Sequence, residues 1–247
     1  MMNIIPLSEG SFTVDASKKF IPFHPSDSLT DRTRGSLLVE IQPFVVITKN
    51  EIILMDTGLG FTDPHDNLQL HNNLIKEGIN PLDVTQVLMS HLHKDHSGGI
   101  SKKDVFSGQR RLSFPNAKYV INRNEWETAL HSTTSSYIPE YIQPLINSDQ
   151  LMLIEGEGRI GENVRFAMTG GHSPCHQVFW IEEENEIVFF GGDVAPQLVQ
   201  MKTKFVAKYD YDGKLAASLR NHWAEEGKQH SWIFLFYHDI NNPVCKF

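Results

Sequence analysis

The sequence predicts a layered α/β protein: two β-sheets packed face to face, with helices on their outer surfaces. Three observations predict it. Short apolar runs of strand length recur in both halves of the chain. Each half also carries helix-compatible stretches. No run approaches the roughly 18 consecutive apolar residues a membrane helix needs. Apolar residues make up 40% and charged residues 21%, an ordinary globular balance. One domain covering residues 1–247 is expected, since sheet-rich domains often reach this length.

The elements follow in order. SLLVEIQPFVVIT (36–48) and EIILMDTG (51–58) read as strands joined by a turn at Lys49 and Asn50. HDNLQLHNNLIKEG (65–78) reads as a helix with Leu68, Leu74 and Ile75 as its apolar stripe and Gly78 as its stop. VTQVLMSH (84–91) is a short strand that ends in a histidine cluster. AKYVIN (117–122) is a strand, and NRNEWETAL (122–130) a helix with Asn124 near its N-cap. Residues 131–149 have weak periodicity and read as an insertion covering the site. Strands return at 150–155, 164–170, 177–183 and 186–193. A helix closes the segment 209–227, apolar at Leu215, Leu219 and Trp223, and WIFLFYHD (232–239) is the last buried strand.

Charge narrows the function. The net charge is −8 and the pI about 5.8. The basic stretches SKKD and GQRR near 101–111 read as a solvated loop, so no nucleic-acid partner is expected. No membrane partner is expected either, and a homodimer is left open. The opening MMNIIPLSEGSF lacks a basic segment followed by a long apolar one, which predicts no secretory signal. Two cysteines, Cys175 and Cys245, do not make a disulfide framework. A reduced cytoplasmic protein acting on a small molecule is the simplest expectation.

The chemistry concentrates at strand ends. HLHKDH (91–96) places three imidazoles and a carboxylate within six residues where a strand gives way to a loop. His91 and His93 alternate along an extended chain, so both project to one side. Imidazole suits zinc and similar metals, and carboxylate is compatible with them. His172, Asp193 and His238 each follow a separate apolar run, as expected of a site gathered at one edge of the strands.

The motif HLHKDH resembles the HxHxDH signature of the metallo-β-lactamase superfamily. GGHSPCH (170–176), GGD (191–193), FYHD (236–239) and LMDTG (54–58) resemble that family's further motifs, in the same order. The resemblance implies a four-layer αββα sandwich. It implies a first metal on His91, His93 and His172, and a second on Asp95, His96 and His238. Asp193 would be the bridging carboxylate, and Asp95 and Asp193 the residues closest to the chemistry. Asp56 resembles a residue that holds a ligand histidine from behind, and His176 one that fixes the loop. The implied cofactors are two divalent ions, zinc first, with manganese, iron or cobalt able to use the same donors. The implied reaction is hydrolysis of a small lactone or ester by a hydroxide held between the metals, with phosphotriesters or phosphodiesters as the alternative. A non-catalytic metal-binding member is the alternative of another class, and it would show lost ligands.

Within that family, IIPLSEGSFTVD (4–15), FPNAKYVINRNEWE (114–127) and YDYDGKLAASLR (209–220) resemble the branch of acyl-homoserine lactonases and methyl-parathion-hydrolase-like enzymes. Two departures stand out. Pro196 occupies the position of a substrate-binding tyrosine, for which Tyr137, Tyr141 or Tyr209 could substitute. Cys175 replaces a glycine, at a cost in strain if that glycine serves a positive φ. Phe20, Phe23, Phe61, Tyr137, Ile138 and Tyr141 are candidate pocket walls, and His65 and His71 candidate substrate contacts.

Overall fold

The computed structural model describes residues 1–246. Phe247, the last residue of the expected domain range, lies outside the described residues. Two six-stranded sheets form the centre. The first runs, edge to edge, through Asn3–Pro6, Phe44–Ile47, Ile52–Met55, Gln86–Leu88, Lys118–Asn122 and Leu151–Ile154. Its first two pairings are antiparallel and the rest parallel. The second runs through Glu157–Ile160, Val164–Met168, Gln177–Glu183, Glu186–Phe190, Ile233–Leu235 and Val244–Lys246.

Strand alternation makes the layers. In the first sheet Phe44, Val46, Ile53, Met55 and Leu88 point one way and meet Phe166, Phe179, Ile181, Val188 and Phe190 of the second. Their chain neighbours Val45, Leu54 and Val87 point the other way, toward Leu70 and Leu74 of the helix Gln69–Lys76 and Trp126 and Ala129 of the helix Arg123–His131. The outer face of the second sheet, with Trp180, Phe189 and Phe234, is covered by Ala216 and Trp223 of the helix Gly213–Gln229. Burying such side chains contributes on the order of 1.5–3 kcal/mol each. The order helix, sheet, sheet, helix is the expected αββα sandwich.

Several details differ from expectation. The run 36–48 is not one strand. It divides into Leu37–Ile41 and Phe44–Ile47 around Pro43, which has no N–H to give a ladder. The first piece joins a separate three-stranded sheet with Gly10–Val14 and Phe20–Pro22, two N-terminal strands the sequence did not reveal. Asn122, not Asn124, caps its helix: its side chain accepts from the Asn124 and Glu125 amides at 2.9 and 3.2 Å. Ile75 is 60% exposed and Leu70 takes its place in the stripe. Leu215 is likewise exposed, and Ala216, Arg220, Trp223 and Gly227 form the buried face. SKKD and GQRR are not a plain loop but contribute a hairpin, Ser101–Lys103 with Arg110–Leu112. Within 131–149, Pro139–Tyr141 and Gln143–Leu145 are short 3-10 turns. Ile142 and Leu145 pack into the outer core of the first sheet, while Tyr137 reaches His93, with ring centroids 4.8 Å apart.

Candidate metal centre

All seven donors named from the sequence come together where the strands of both sheets end. His91 and His93 follow Gln86–Leu88, and Asp95 and His96 lie in the short helix Lys94–Ser97 that begins at once after them. His172 follows Val164–Met168, Asp193 follows Glu186–Phe190, and His238 follows Ile233–Leu235. Ligand atoms cluster in three overlapping groups: His91, His93 and His172; His91, His96 and Asp193; Asp95, His96 and His238. Within each group they lie within 4.8 Å of one another.

Hydrogen bonds aim the imidazoles. Asp56 is fully buried and held in left-handed backbone at φ 54. One of its oxygens accepts from the Ser90 amide at 2.7 Å. The other accepts from the Ser90 hydroxyl at 2.6 Å and from His96 Nδ1 at 2.7 Å. The Ser90 hydroxyl gives its proton to Asp56, so it accepts from His91 Nδ1 at 3.1 Å. His172 Nδ1 donates to Asp210 at 2.9 Å, and His238 Nδ1 to the Glu40 carbonyl at 2.7 Å. Four rings are thereby fixed as the tautomer with a bare Nε2 turned inward. His93 differs: its Nδ1 faces the centre, 3.1 Å from His172 Nε2.

Asp193 sits between the two trios. One oxygen is 3.1 Å from His96 Nε2 and 3.0 Å from His238 Nε2, the other 3.3 Å from His172 Nε2. Asp95 Oδ2 is 3.7 Å from both His96 and His238. His91 Nε2, His96 Nε2 and one Asp193 oxygen are buried with no hydrogen-bond partner. Close approach without hydrogen-bond geometry is what donors converging on a shared cation look like, and buried polar atoms otherwise find partners.

The electrostatics agree. Burial opposes the charged form of His96, but Asp193, Asp95 and Asp56 override it and hold its pKa well above the ordinary histidine value. His172 and His238 are raised too, with burial opposing and Asp193 the leading favourable charge. Burial pushes Asp193 up, but His238, His96 and His172 outweigh it and hold its pKa well below the usual carboxylate range. His91 and His93 are held well below the ordinary value by burial and then by neighbouring imidazoles. The centre therefore calls for positive charge around Asp193 in a place too crowded for every histidine to be protonated. Divalent cations meet both conditions, and the donor set fits them.

The surrounding residues resolve other expectations. His176 accepts from the Asp193 amide through Nε2 at 3.1 Å, which steadies the Asp193 turn. Gly192 makes that turn possible at φ 47, since a Cβ there would lie 2.6 Å from His176 Nε2. Cys175 is not in left-handed backbone, so the strain expected of it is absent; the positive φ values of that loop fall on Gly170 and Gly171. His71 Nε2 is spent on the Ser113 carbonyl at 2.9 Å, and the His65 amide on Asp63 in an exposed turn. Phe23 and Phe61 line a cavity of about 430 Å3 with Phe12 and Glu9, while Tyr141 stacks on Arg110, 4.8 Å away. Asp210, the Glu40 carbonyl and Glu125 escaped the sequence reading. Glu125 is buried and accepts from the Leu92 amide, the Tyr137 hydroxyl and the Ser173 hydroxyl at 3.0, 3.0 and 3.2 Å, tying both ligand loops together.

The metallo-beta-lactamase superfamily profile matches residues 39–228. The chain belongs to this superfamily. The N-acyl homoserine lactonase AiiA of Bacillus thuringiensis subsp. kurstaki is 30% identical over 172 residues, covering 68% of this chain. That match spans about 61% of the relative's length. The N-acyl homoserine lactonase of Bacillus cereus is 28% identical over 236 residues, covering 87% of this chain and 88% of the relative. The dizinc quorum-quenching lactonase AidC, solved with the product N-hexanoyl-L-homoserine, shares the fold. Its TM-score is 0.75 at 21% identity, with 98% of this chain and 89% of that one covered.

Proposed function

We propose that the protein is a divalent-metal-dependent hydrolase of small lactones or esters, with one ion on His91, His93 and His172 and a second on Asp95, His96 and His238. Asp193 would serve both. The observation that carries this reading is the division of the Asp193 oxygens between His96 and His238 on one side and His172 on the other, with His96 Nε2, His91 Nε2 and one Asp193 oxygen buried without partners. The likeness to N-acyl homoserine lactonases supports a lactone or ester over other substrates. Zinc suits the donors best. Bound in this way, a metal pair supplies Lewis acidity and a water acidic enough to act near neutral pH.

The residues contribute the rest. Asp56, Asp210 and the Glu40 carbonyl hold the imidazole tautomers, so no reorganisation is needed as charge develops. Asp95 faces His96 and His238 through Oδ2 and would add its carboxylate to that ion's donors. Pro196 cannot supply a hydroxyl. Of the three tyrosines, Tyr137 gives its hydroxyl to Glu125 and Tyr141 lies under Arg110. Tyr209 is half-exposed with its ring 6.3 Å from that of His172, which supports it as the tyrosine that would meet a substrate carbonyl.

The test is metal analysis and turnover on one preparation, with γ-lactones, aryl esters, a phosphotriester and a phosphodiester. About two metals per chain and turnover of lactones or aryl esters are expected, with Asp193→Asn losing both metal and at least about a thousandfold in kcat/KM. Turnover confined to phosphoesters would move the substrate class. No metal uptake would overturn the reading.

A further inference from the structure

The rim of the centre next to His93 carries two ammonium groups that the proposed hydrolysis does not use. Lys94 lies between His93 and Asp95 in the chain and is half-buried. Its Nζ stands 5.8 Å from the centre of the Phe20 ring, and its amide donates to the Ser136 carbonyl at 2.7 Å. Lys18 comes from the distant N-terminal segment. It is held in left-handed backbone at φ 56, and its Nζ donates to the hydroxyl of the same Ser136. Lys18 is near enough to act electrostatically on both Lys94 and His93.

Two features separate this pair from ordinary surface lysines. Neither ammonium has a carboxylate partner in an ion pair among the described residues, although the chain carries a net charge of −8. The two residues also meet at Ser136 from separate parts of the chain, Lys18 through its ammonium and Lys94 through its backbone amide, and the next residue, Tyr137, packs on His93. Left-handed backbone at a lysine is strained and persists where the surroundings fix it. Asp95 is the carboxylate whose charge acts on Lys94, but its Oδ2 is turned to His96 and His238 in the donor cluster, which leaves the two neighbouring ammonium groups able to take an anion.

We propose that Lys18 and Lys94 form an anion subsite beside the metal centre, so that the substrate is a lactone or ester carrying a carboxylate away from the scissile carbonyl. This rests on the hydrolase reading above and narrows it. The scissile carbonyl lies over the centre at Asp193 and His93, and the carboxylate reaches out to the two ammonium groups. Phe20 and Tyr137 provide the apolar surface between them.

The experiment has two arms, both on the metal-loaded protein. In the first, kcat/KM is measured for p-nitrophenyl butyrate and for the mono-p-nitrophenyl ester of glutaric acid. Wild type should favour the glutarate ester, and that preference should fall roughly tenfold or more in Lys18→Gln/Lys94→Gln. Lys103→Gln, on the remote hairpin, should keep it. The preference should also weaken with added salt. In the second arm, calorimetry compares dicarboxylates from succinate to adipate with butyrate. Wild type should bind at least one dicarboxylate more tightly than butyrate, and the double variant should lose that difference. Equal preference in wild type and double variant, in both arms, overturns the subsite. If neither ester is cleaved, the hydrolase reading fails, and the binding arm still decides the subsite.

Discussion

The two halves of the donor set are built differently. Around Asp95, His96 and His238 the structure is closed. His96 is stacked on Tyr237 with ring centroids 4.1 Å apart, and the Tyr237 hydroxyl donates to the Asp95 carbonyl at 2.6 Å. The Thr57 amide and hydroxyl both hold the His96 carbonyl, at 2.7 and 2.8 Å. Around His91, His93 and His172 the structure is open on one side. His93 is only half-buried and turns its Nδ1 inward. His172 leans on Asp210, which belongs to the turn before the helix Gly213–Gln229. One half is fixed by the interior of the sandwich, and the other faces the surrounding loops. Rigid support on one side and access on the other is what a preorganised site requires.

That comparison can be broken most severely at Asp56. In Asp56→Asn the new amide would point N–H groups at the Ser90 hydroxyl or at His96 Nδ1, both of which donate there now. Metal affinity should fall about 10–100-fold, directly through His96 and by way of Ser90 through His91, and stability should drop by about 1–3 kcal/mol. Metal titration and denaturant unfolding measure the two effects, and unchanged metal affinity would show that Asp56 does not aim the imidazoles.

Glu9 gives a pH test of the closed half. Its carboxylate accepts from the Leu59 amide at 2.6 Å, three residues past Asp56, and burial raises its pKa to about 7 despite that bond and one from Gly60. In the unfolded chain the carboxyl ionises near 4.5. Between these values the folded protein holds the extra proton, so stability falls as pH rises from about 4.5 to about 7, by about 3 kcal/mol in all. In Glu9→Gln the amide oxygen can keep the Leu59 bond, and its nitrogen replaces an oxygen already without a partner. Its unfolding free energy should lose this slope and exceed that of wild type at pH 8. An unchanged slope would show that another group carries it.

The open half should respond least. Asp210→Asn keeps an acceptor for His172 Nδ1 and removes only a charge, so kcat/KM should fall about tenfold with little change in stability. A loss as large as that of Asp56→Asn would erase the distinction between the halves.

The sequence showed the parts whose signal is local. The strand at Phe44, Val45 and Val46 could be read because an apolar run of strand length is a local signal, while the division of its side chains between two cores emerges only in the fold. His91, His93, Asp95 and His96 could be read because four donors share six positions. The edge strand Asn3–Pro6 could not, since it is short and exists by pairing with Phe44–Ile47, some forty residues on. Asn122 and Asn124 offer equal caps on paper, and only the end of the strand Lys118–Asn122 decides between them. Asp210 looks like Asp212, yet one orients His172 and the other caps a helix. The Glu40 carbonyl has no sequence signature at all, because any residue there would present the same oxygen.

The break at Pro43 links the periphery to the chemistry. It sends Leu37–Ile41 out of the main sheet into the small N-terminal one, and so delivers Glu40 to His238 through two backbone contacts, one at 2.7 and one at 3.3 Å. The small sheet and the His238 loop are thereby tied together, and their amides should exchange together in native-state hydrogen exchange. Amide protection in that peripheral sheet thus reports how firmly the closed half is held.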